Sequence, residues 1–215
     1  MNSIATNHHM RIWLYFVATA VAFSACARPS APNEPALAAD VLDRIKAPAG
    51  VVIAHRAETY AVTGTDRATI RAQLHVPDGT LLERNYAGLY KWQLTWRYET
   101  GREGTLCRVT RAAVTLTSIV TLPEWTAAAT ADPGLVTEWA RFRRALAVHE
   151  HGHRELAYAG AGRARKAIES IPQQACSSID ADVRIAAEPI LNAMKLEQAR
   201  YDQSTSHGAT QGATF

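Results

Sequence analysis

Between Lys91 and Glu99, apolar and polar positions alternate. Trp92, Leu94, Trp96 and Tyr98 share one face, and Lys91, Gln93, Thr95 and Arg97 share the other. A period of two belongs to a strand with one buried side. Thr105 to Leu122, rich in Val, Thr and Ile, predicts a partner strand. The linker Thr100-Gly101-Arg102-Glu103-Gly104 suits a hairpin turn. Glu58 to Val62 and Arg71 to Val76 predict shorter strands, with Pro77-Asp78-Gly79 as a turn. The aromatic face over 92–98 reads as core rather than as a ligand cradle.

After Pro133 the period changes. Large residues recur at Trp139, Phe142, Leu146, His149, His153, Leu156 and Gly160, in steps of three and four. That stripe predicts one long helix from Leu135 to Ile171. Asp132-Pro133-Gly134 introduces it, and Pro172 ends it. Ser177 with Asp180 resembles a capping box with Asp in place of Glu. A second helical region then runs to about Arg200. Pro189 should kink or split that helix, since proline has no amide to donate. The second helix returns the chain antiparallel to the first. The expected fold is therefore α+β: an N-terminal antiparallel β-sheet, a long helix and a kinked antiparallel helix.

The helical stripe also carries chemistry. His149-Glu150-His151-Gly152-His153 fits the pattern H-E-x-x-H. Residues four apart lie on one helical face, so His149 and His153 can direct two imidazoles at one metal ion. Glu150 stands where it can take a proton from a water that the metal activates. The competing account is two core histidines satisfied by hydrogen bonds. His151 falls off the stripe, as largely do Arg141, Arg144, Arg154, Arg163 and Arg165.

A catalytic zinc usually has three protein ligands. Ala159 stands where a longer H-E-x-x-H-x-x-G-x-x-H pattern would place a third histidine. Glu155 lies on another face of the helix. Glu169, Glu188 and Glu197 are downstream carboxylates, and His207 is the better candidate. It belongs to a polar tail, Tyr201 to Gly212, that also carries Asp202. The plain alternative is a frayed end.

Three blocks carry a resemblance. They are Trp92 to Trp125, with W-x-x-x-W-x-Y, Cys107 and Leu122-Pro123-Glu124-Trp125; His149 to Arg154; and the tail Y-D-x-x-T-x-H-G-x-x-Q-G from Tyr201 to Gly212. With these the chain resembles a bacterial family of uncharacterised secreted proteins labelled predicted zinc-dependent proteases. The resemblance spans about Val51 to Gly212. It implies one zinc ion held by His149, His153 and His207. That label itself rests largely on H-E-x-x-H. Glu150 is the expected general base. Tyr201 or Arg154 would stabilise the oxyanion, and Asp202 would orient a ligand histidine or replace it as an oxygen ligand.

Composition narrows the partners. The 215 residues are 47% hydrophobic and 20% charged, with a formal net charge of +3. These values suit one globular domain. No basic patch with interleaved aromatics is present, which argues against nucleic acid. Arg11 precedes a 14-residue apolar run, Ile12 to Ala25, suited to a signal-peptide core. Ser24-Ala25-Cys26 resembles a lipoprotein signal with Cys26 lipidated, although Phe23 replaces the usual Leu. Cleavage after Ala25-Cys26-Ala27 is the alternative. The expected organisation is 1–27 signal peptide, 28–45 tether and 46–212 a single domain.

The protein is expected to be exported, as a periplasmic or outer-membrane lipoprotein or otherwise secreted. A lipid on Cys26 would tie it to the membrane. Cys107 and Cys176 are then expected to form a disulfide. The expected activity is hydrolysis of a peptide, protein or peptidoglycan substrate. The alternative is a non-catalytic zinc-binding envelope lipoprotein acting as a binding or structural module.

Overall fold

The computed structural model describes residues 46–77 and 86–215. Cys26, the expected leader and the expected tether lie outside them, as do Asp78 and Gly79 of the expected turn. The elements are β1 (Val51–Val62), α1 (Arg67–Arg71), β2 (Leu89–Glu103), β3 (Leu106–Trp125), α2 (Pro133–Glu169), β4 (Gln174–Ala175) and α3 (Ile179–Thr205).

The α+β expectation holds, with a sheet followed by helices. The sheet itself is mixed. β2 and β3 form the expected antiparallel hairpin, with Leu94 opposite Leu116 and Trp96 opposite Val114. β1 runs parallel to β3 on its other side, with Val51 opposite Val114 and Val62 opposite Trp125. A tight turn forces antiparallel pairing, whereas the long connection from β1 to β2 leaves β1 free to cross. The strand order is β1-β3-β2.

One expected strand does not form, and only its first residue is helical. Arg71–Val76 is not extended, because Asp66 caps α1 just before it and accepts from the Thr69 amide at 2.9 Å. A carboxylate that satisfies an unpaired helix amide competes effectively with a marginal strand pattern.

β3 buries Val114, Leu116, Ser118, Val120 and Leu122, alternate residues on the face that packs against α2. The second half of α2 meets α3 through small residues. Ala157, Ala161 and Ala164 are fully buried, and a side chain on Gly160 would overlap Met194. The contacts Gly160 to Met194 and His153 to Gln198 and Asp202 run in opposite senses along the two helices, so the pair is antiparallel as expected. Pro189 does not split α3, which continues unbroken to Thr205. Its N-cap is Ser178 rather than Ser177, with no side-chain cap bond.

Two buried residues depart from the expected stripe. Arg143 and Arg154 are 6% exposed each, while Leu156 is only half-buried. Beyond Gly212 the chain is still part of the fold. Phe215 packs against Trp139 and Phe142, both at 5.5 Å between ring centroids.

Cys107 and Cys176 are disulfide-bonded, as expected, across a separation of 69 residues. The bond pins the start of β3 to the segment leading into α3, next to the β3–β4 pairing. Replacing both cysteines by serine is expected to cost on the order of 2–5 kcal/mol, read as a lower midpoint in urea unfolding. An unchanged midpoint would show that the α2–α3 packing alone fixes that connection. Among the described residues, no helix is long and apolar enough to cross a membrane.

Candidate metal centre

Three side chains converge where α2 and α3 cross. His149 and His153 stand one helical turn apart on α2 and are 3% and 7% exposed. Asp202 comes from the last turns of α3. His153 Nε2 lies 3.2 Å from His149 Nε2 and 2.9 Å from Asp202 Oδ1, and His149 Nε2 lies 3.2 Å from the same oxygen. The three atoms form a nearly equilateral triangle. Ligands at about 2.0–2.1 Å from a tetrahedral metal stand roughly 3.3 Å apart. His149, His153 and Asp202 are therefore a group able to hold a metal ion.

The hydrogen bonds behind the triangle fit the same chemistry. Gln211 Oε1 lies 3.0 Å from His149 Nδ1, and Gln198 Oε1 faces His153 Nδ1. The amide orientations are fixed by their other ends. Gln198 donates its NH2 to the His153 carbonyl at 3.0 Å, and Gln211 donates to the Tyr201 hydroxyl at 3.0 Å. An amide oxygen only accepts, so each Nδ1 keeps the proton and each Nε2 offers a lone pair toward Asp202. Three electron-pair donors this close repel one another unless a cation or a proton lies between them. The residues present thus fit a metal.

In the protein without metal, protons partly take that role. Burial disfavours the charged form of His153, but the Asp202 hydrogen bond and the Glu150 charge outweigh it, and its pKa is raised. Burial alone would raise the Asp202 pKa. Bonds from His149 and His153, with the charges of His153 and His207, instead hold it well below the usual carboxylate range.

Glu150 is 3% exposed and has no ion-pair partner in the cluster. Burial pushes its pKa up to about 7, tempered by the charges of His153 and His149 and reinforced by that of Asp202. The chain entering β2 runs directly over it, so that a Cβ at Gly88 would stand 2.5 Å from Glu150 Oε1. His149, Glu150, His153 and Asp202 open onto a cavity of about 360 Å³. Its other walls are largely apolar, from Leu74, Leu89, Tyr90, Trp92, Phe142, Leu146 and Phe215. Trp92 thus serves both the core and the cavity wall.

The expected third ligand, His207, is not in the triangle. α3 ends at Thr205, and Ser206 and His207 both have positive φ, 48° and 51°. The turn carries His207 out of register with the ligand face. Its Nδ1 reaches only Asp202 Oδ1, at 3.4 Å, its side chain is 47% exposed, and its ring rests on Tyr86. It lines the cavity at the rim of the site. Asp202 occupies the position expected for it.

Tyr201 also differs from expectation. Its ring stacks on His149 at 5.1 Å and meets His153 edge-on at 4.9 Å. Its hydroxyl accepts from Gln211, and Tyr201 does not line the cavity. It supports the histidines rather than facing a reacting group. The same contact explains Gly152 in the motif, since any side chain there would overlap the Tyr201 ring. Gly208, at φ 82°, approaches the His149 ring in the same way. Arg154 is turned into the interior against Tyr158 and does not line the cavity. Of the other carboxylates weighed, Glu155 faces His151, Glu169 pairs with Arg165 and Glu197 with Arg163.

Gln198 carried no signal in the sequence by itself. Its spacing to Asp202 and Thr205 becomes meaningful once α3 is known to continue through them. Hydrogen-bonded partners of ligand histidines typically hold about 10–100-fold in metal affinity. Gln198→Leu and Gln211→Leu are each expected to weaken metal binding by roughly that factor, measured by competition with a chromogenic chelator. Unchanged affinity in both would mean the ring orientations are set by Tyr201 packing alone.

An α+β fold with a two-histidine, one-carboxylate cluster at its helix crossing defines a chain equipped to hold a metal. The chain belongs to the bacterial protein family of unknown function DUF922, which it matches over residues 57–208. That range holds His149, Glu150, His153, Asp202 and His207 and excludes Gln211. No curated protein and no solved structure matches the chain significantly.

Proposed function

We propose that this protein is an exported zinc-dependent metallopeptidase. The observation that carries the proposal is the arrangement of three ligand atoms in a triangle of metal size, with the buried carboxyl of Glu150 beside it on one cavity. Three protein ligands leave a coordination position open, as hydrolytic zinc sites do, whereas structural sites close with a fourth. Two imidazoles and a carboxylate also suit ferrous iron. The adjacent carboxyl favours hydrolysis, because it supplies the base that a hydrolase needs.

A bound zinc supplies Lewis acidity to a water and to the scissile carbonyl. The protein's own groups do the rest. His149 and His153 hold their Nε2 lone pairs inward because Gln211 and Gln198 fix the Nδ1 protons. Glu150, as carboxylate, accepts the proton of the attacking water and then delivers it to the leaving amine. The apolar walls of the cavity favour substrates that place a non-polar side chain beside the cleaved bond. The stretch 1–27, with Cys26, supports export, and the disulfide is compatible with an oxidising compartment.

The test is metal analysis of the purified protein together with cleavage of a mixed peptide library, with and without chelator. Near-stoichiometric zinc and chelator-sensitive cleavage are expected. Stoichiometric zinc with no cleavage would favour a zinc-binding envelope module, and iron in place of zinc would overturn the proposal.

A further inference from the structure

The cavity beside the metal cluster has two unlike ends. On α2, Phe142, Leu146 and Glu150 line it at intervals of four residues, so they stand one above another on one helical face. From the helical rise, Leu146 lies about 6 Å and Phe142 about 12 Å along the axis from Glu150. The cavity therefore runs along α2, away from the metal cluster and toward the start of the helix. His149, Glu150, His153, Asp202 and His207 are its acidic and histidine residues, and they gather at the cluster or its rim. Toward Phe142 the lining becomes apolar. Leu74 and Ala213 pack there with Leu146, Phe142 and Phe215. Among the described residues, no lysine or arginine lines the cavity.

Two residues fix the shape of the apolar end. Phe215 closes it. Its ring centroid lies 5.5 Å from that of Phe142 and, edge-on, 5.5 Å from that of Trp139, and all three side chains are buried. The chain around Phe215 is held from two sides. Arg71 Nε donates to the Phe215 main-chain oxygen at 2.9 Å, and Arg141 donates to the Thr214 carbonyl at 3.2 Å. Contacts within the fold thus set this floor, whatever occupies the cavity. Gly88 stands at the junction of the two ends. A Cβ there would lie 2.5 Å from Glu150 Oε1 and 3.0 Å from Leu146 Cδ1, so any side chain at this position would crowd the passage between them.

An apolar side chain gains free energy by entering such a space, whereas a charged or amide group would lose its water and find no partner. The volume of about 360 Å³ is near the lower limit of the roughly 300–1,000 Å³ usual for ligand pockets. That suits one side chain and the bond beside it rather than a run of several residues. We propose that the apolar end is a selectivity pocket for a single phenylalanine- or leucine-sized side chain next to the cleaved bond, with Phe215 setting its depth and Gly88 keeping its entrance open. The cleavage rests on the metallopeptidase reading, and the pocket itself does not.

The experiment has a binding arm that needs no turnover and a cleavage arm. In the first, the N-acetyl amides of phenylalanine, leucine, tryptophan, alanine and aspartate are titrated into the purified protein and followed by NMR chemical shifts. The phenylalanine and leucine amides should bind roughly ten- to a hundredfold more tightly than the alanine amide, the gain from burying one large apolar side chain. The shifts should centre on Leu146 and Phe215. In Phe215→Ala the floor recedes, and the tryptophan amide should gain about tenfold on the phenylalanine amide. Indistinguishable binding of the five amides, shifts centred elsewhere, or the same order of preference in wild type and Phe215→Ala overturns the proposal. Phe215→Leu keeps an apolar floor and decides the point if Phe215→Ala does not fold. In the second arm, cleavage of a peptide library should be enriched for phenylalanine and leucine at one position flanking the cut bond. Cleavage without that enrichment overturns the pocket and leaves the metallopeptidase reading standing. Selective binding with no cleavage upholds the pocket and counts against the metallopeptidase reading.

Discussion

Asp202→Ala is expected to remove metal binding, while His207→Ala leaves it near one ion per chain. The two residues are five positions apart, and sequence alone favours the histidine. The structure separates them by geometry. Asp202 Oδ1 lies 2.9 and 3.2 Å from the two Nε2 atoms, completing a triangle of ligand size. Of the three ligand side chains His207 reaches Asp202 alone, at 3.4 Å, from a side chain that is 47% exposed. Removing Asp202 leaves two neutral imidazoles and no compensating charge. The affinity loss should exceed the roughly 10–100-fold typical of losing a partner behind a ligand.

His207→Ala removes a group at the cavity rim, so its effect should fall on substrate handling rather than on metal content. Metal analysis after dialysis against a weak chelator separates the outcomes. Metal retained in Asp202→Ala and lost in His207→Ala would reverse the assignment and restore a three-histidine site. Asp202→Asn is a useful second variant. It keeps an oxygen in place and loses the charge, so intermediate binding is expected.

The contrast between these residues shows what the sequence could disclose. His149, Glu150 and His153 are legible because one helix turn places them, and helical spacing is a local property. Asp202 depends on where α3 ends. If the helix stops near Arg200, Asp202 and His207 are equivalent members of a polar tail. If it continues to Thr205, then Gln198, Asp202 and Thr205 form a stripe at steps of four and three that faces His149 and His153. Ser206 then ends the helix in a left-handed conformation, and His207 leaves the face. Nothing local in Tyr201-Asp202-Gln203-Ser204-Thr205 marks that continuation. It comes from packing against α2.

The sheet divides in the same way. Alternation predicted β2 and β3 because each strand buries alternate residues. The parallel partnership of β1 with β3 is a long-range pairing that no periodicity encodes. Buried Arg154 was misplaced for a related reason. A stripe drawn from large apolar residues misses a charged one that is buried against Tyr158.

Glu150→Gln is expected to retain metal and to lose peptide hydrolysis by roughly a hundred- to ten-thousand-fold, the range a positioned general base contributes. The substitution keeps the size of the side chain and removes the group that accepts the water's proton. Lost activity means little if the variant misfolds, and Glu150 itself supplies the control. Its folded pKa is about 7 against an ordinary value of 4.5. A raised carboxyl pKa means that folding favours the protonated form. Below about pH 4.5 the group is protonated in both states and affects nothing. Between about 4.5 and 7 the unfolded chain ionises first, and folded stability falls. Above 7 the penalty is constant, on the order of 3 kcal/mol for the protein without metal. Gln carries no such penalty. Metal-free Glu150→Gln should therefore melt above metal-free wild type at pH 8 and together with it near pH 4. A variant that melts higher at pH 8, binds zinc and does not cleave identifies Glu150 as the base. One that melts lower at pH 8 has lost its packing, and its inactivity says nothing about proton transfer. A well-folded Glu150→Gln that still cleaves at the wild-type rate would remove Glu150 from the reaction.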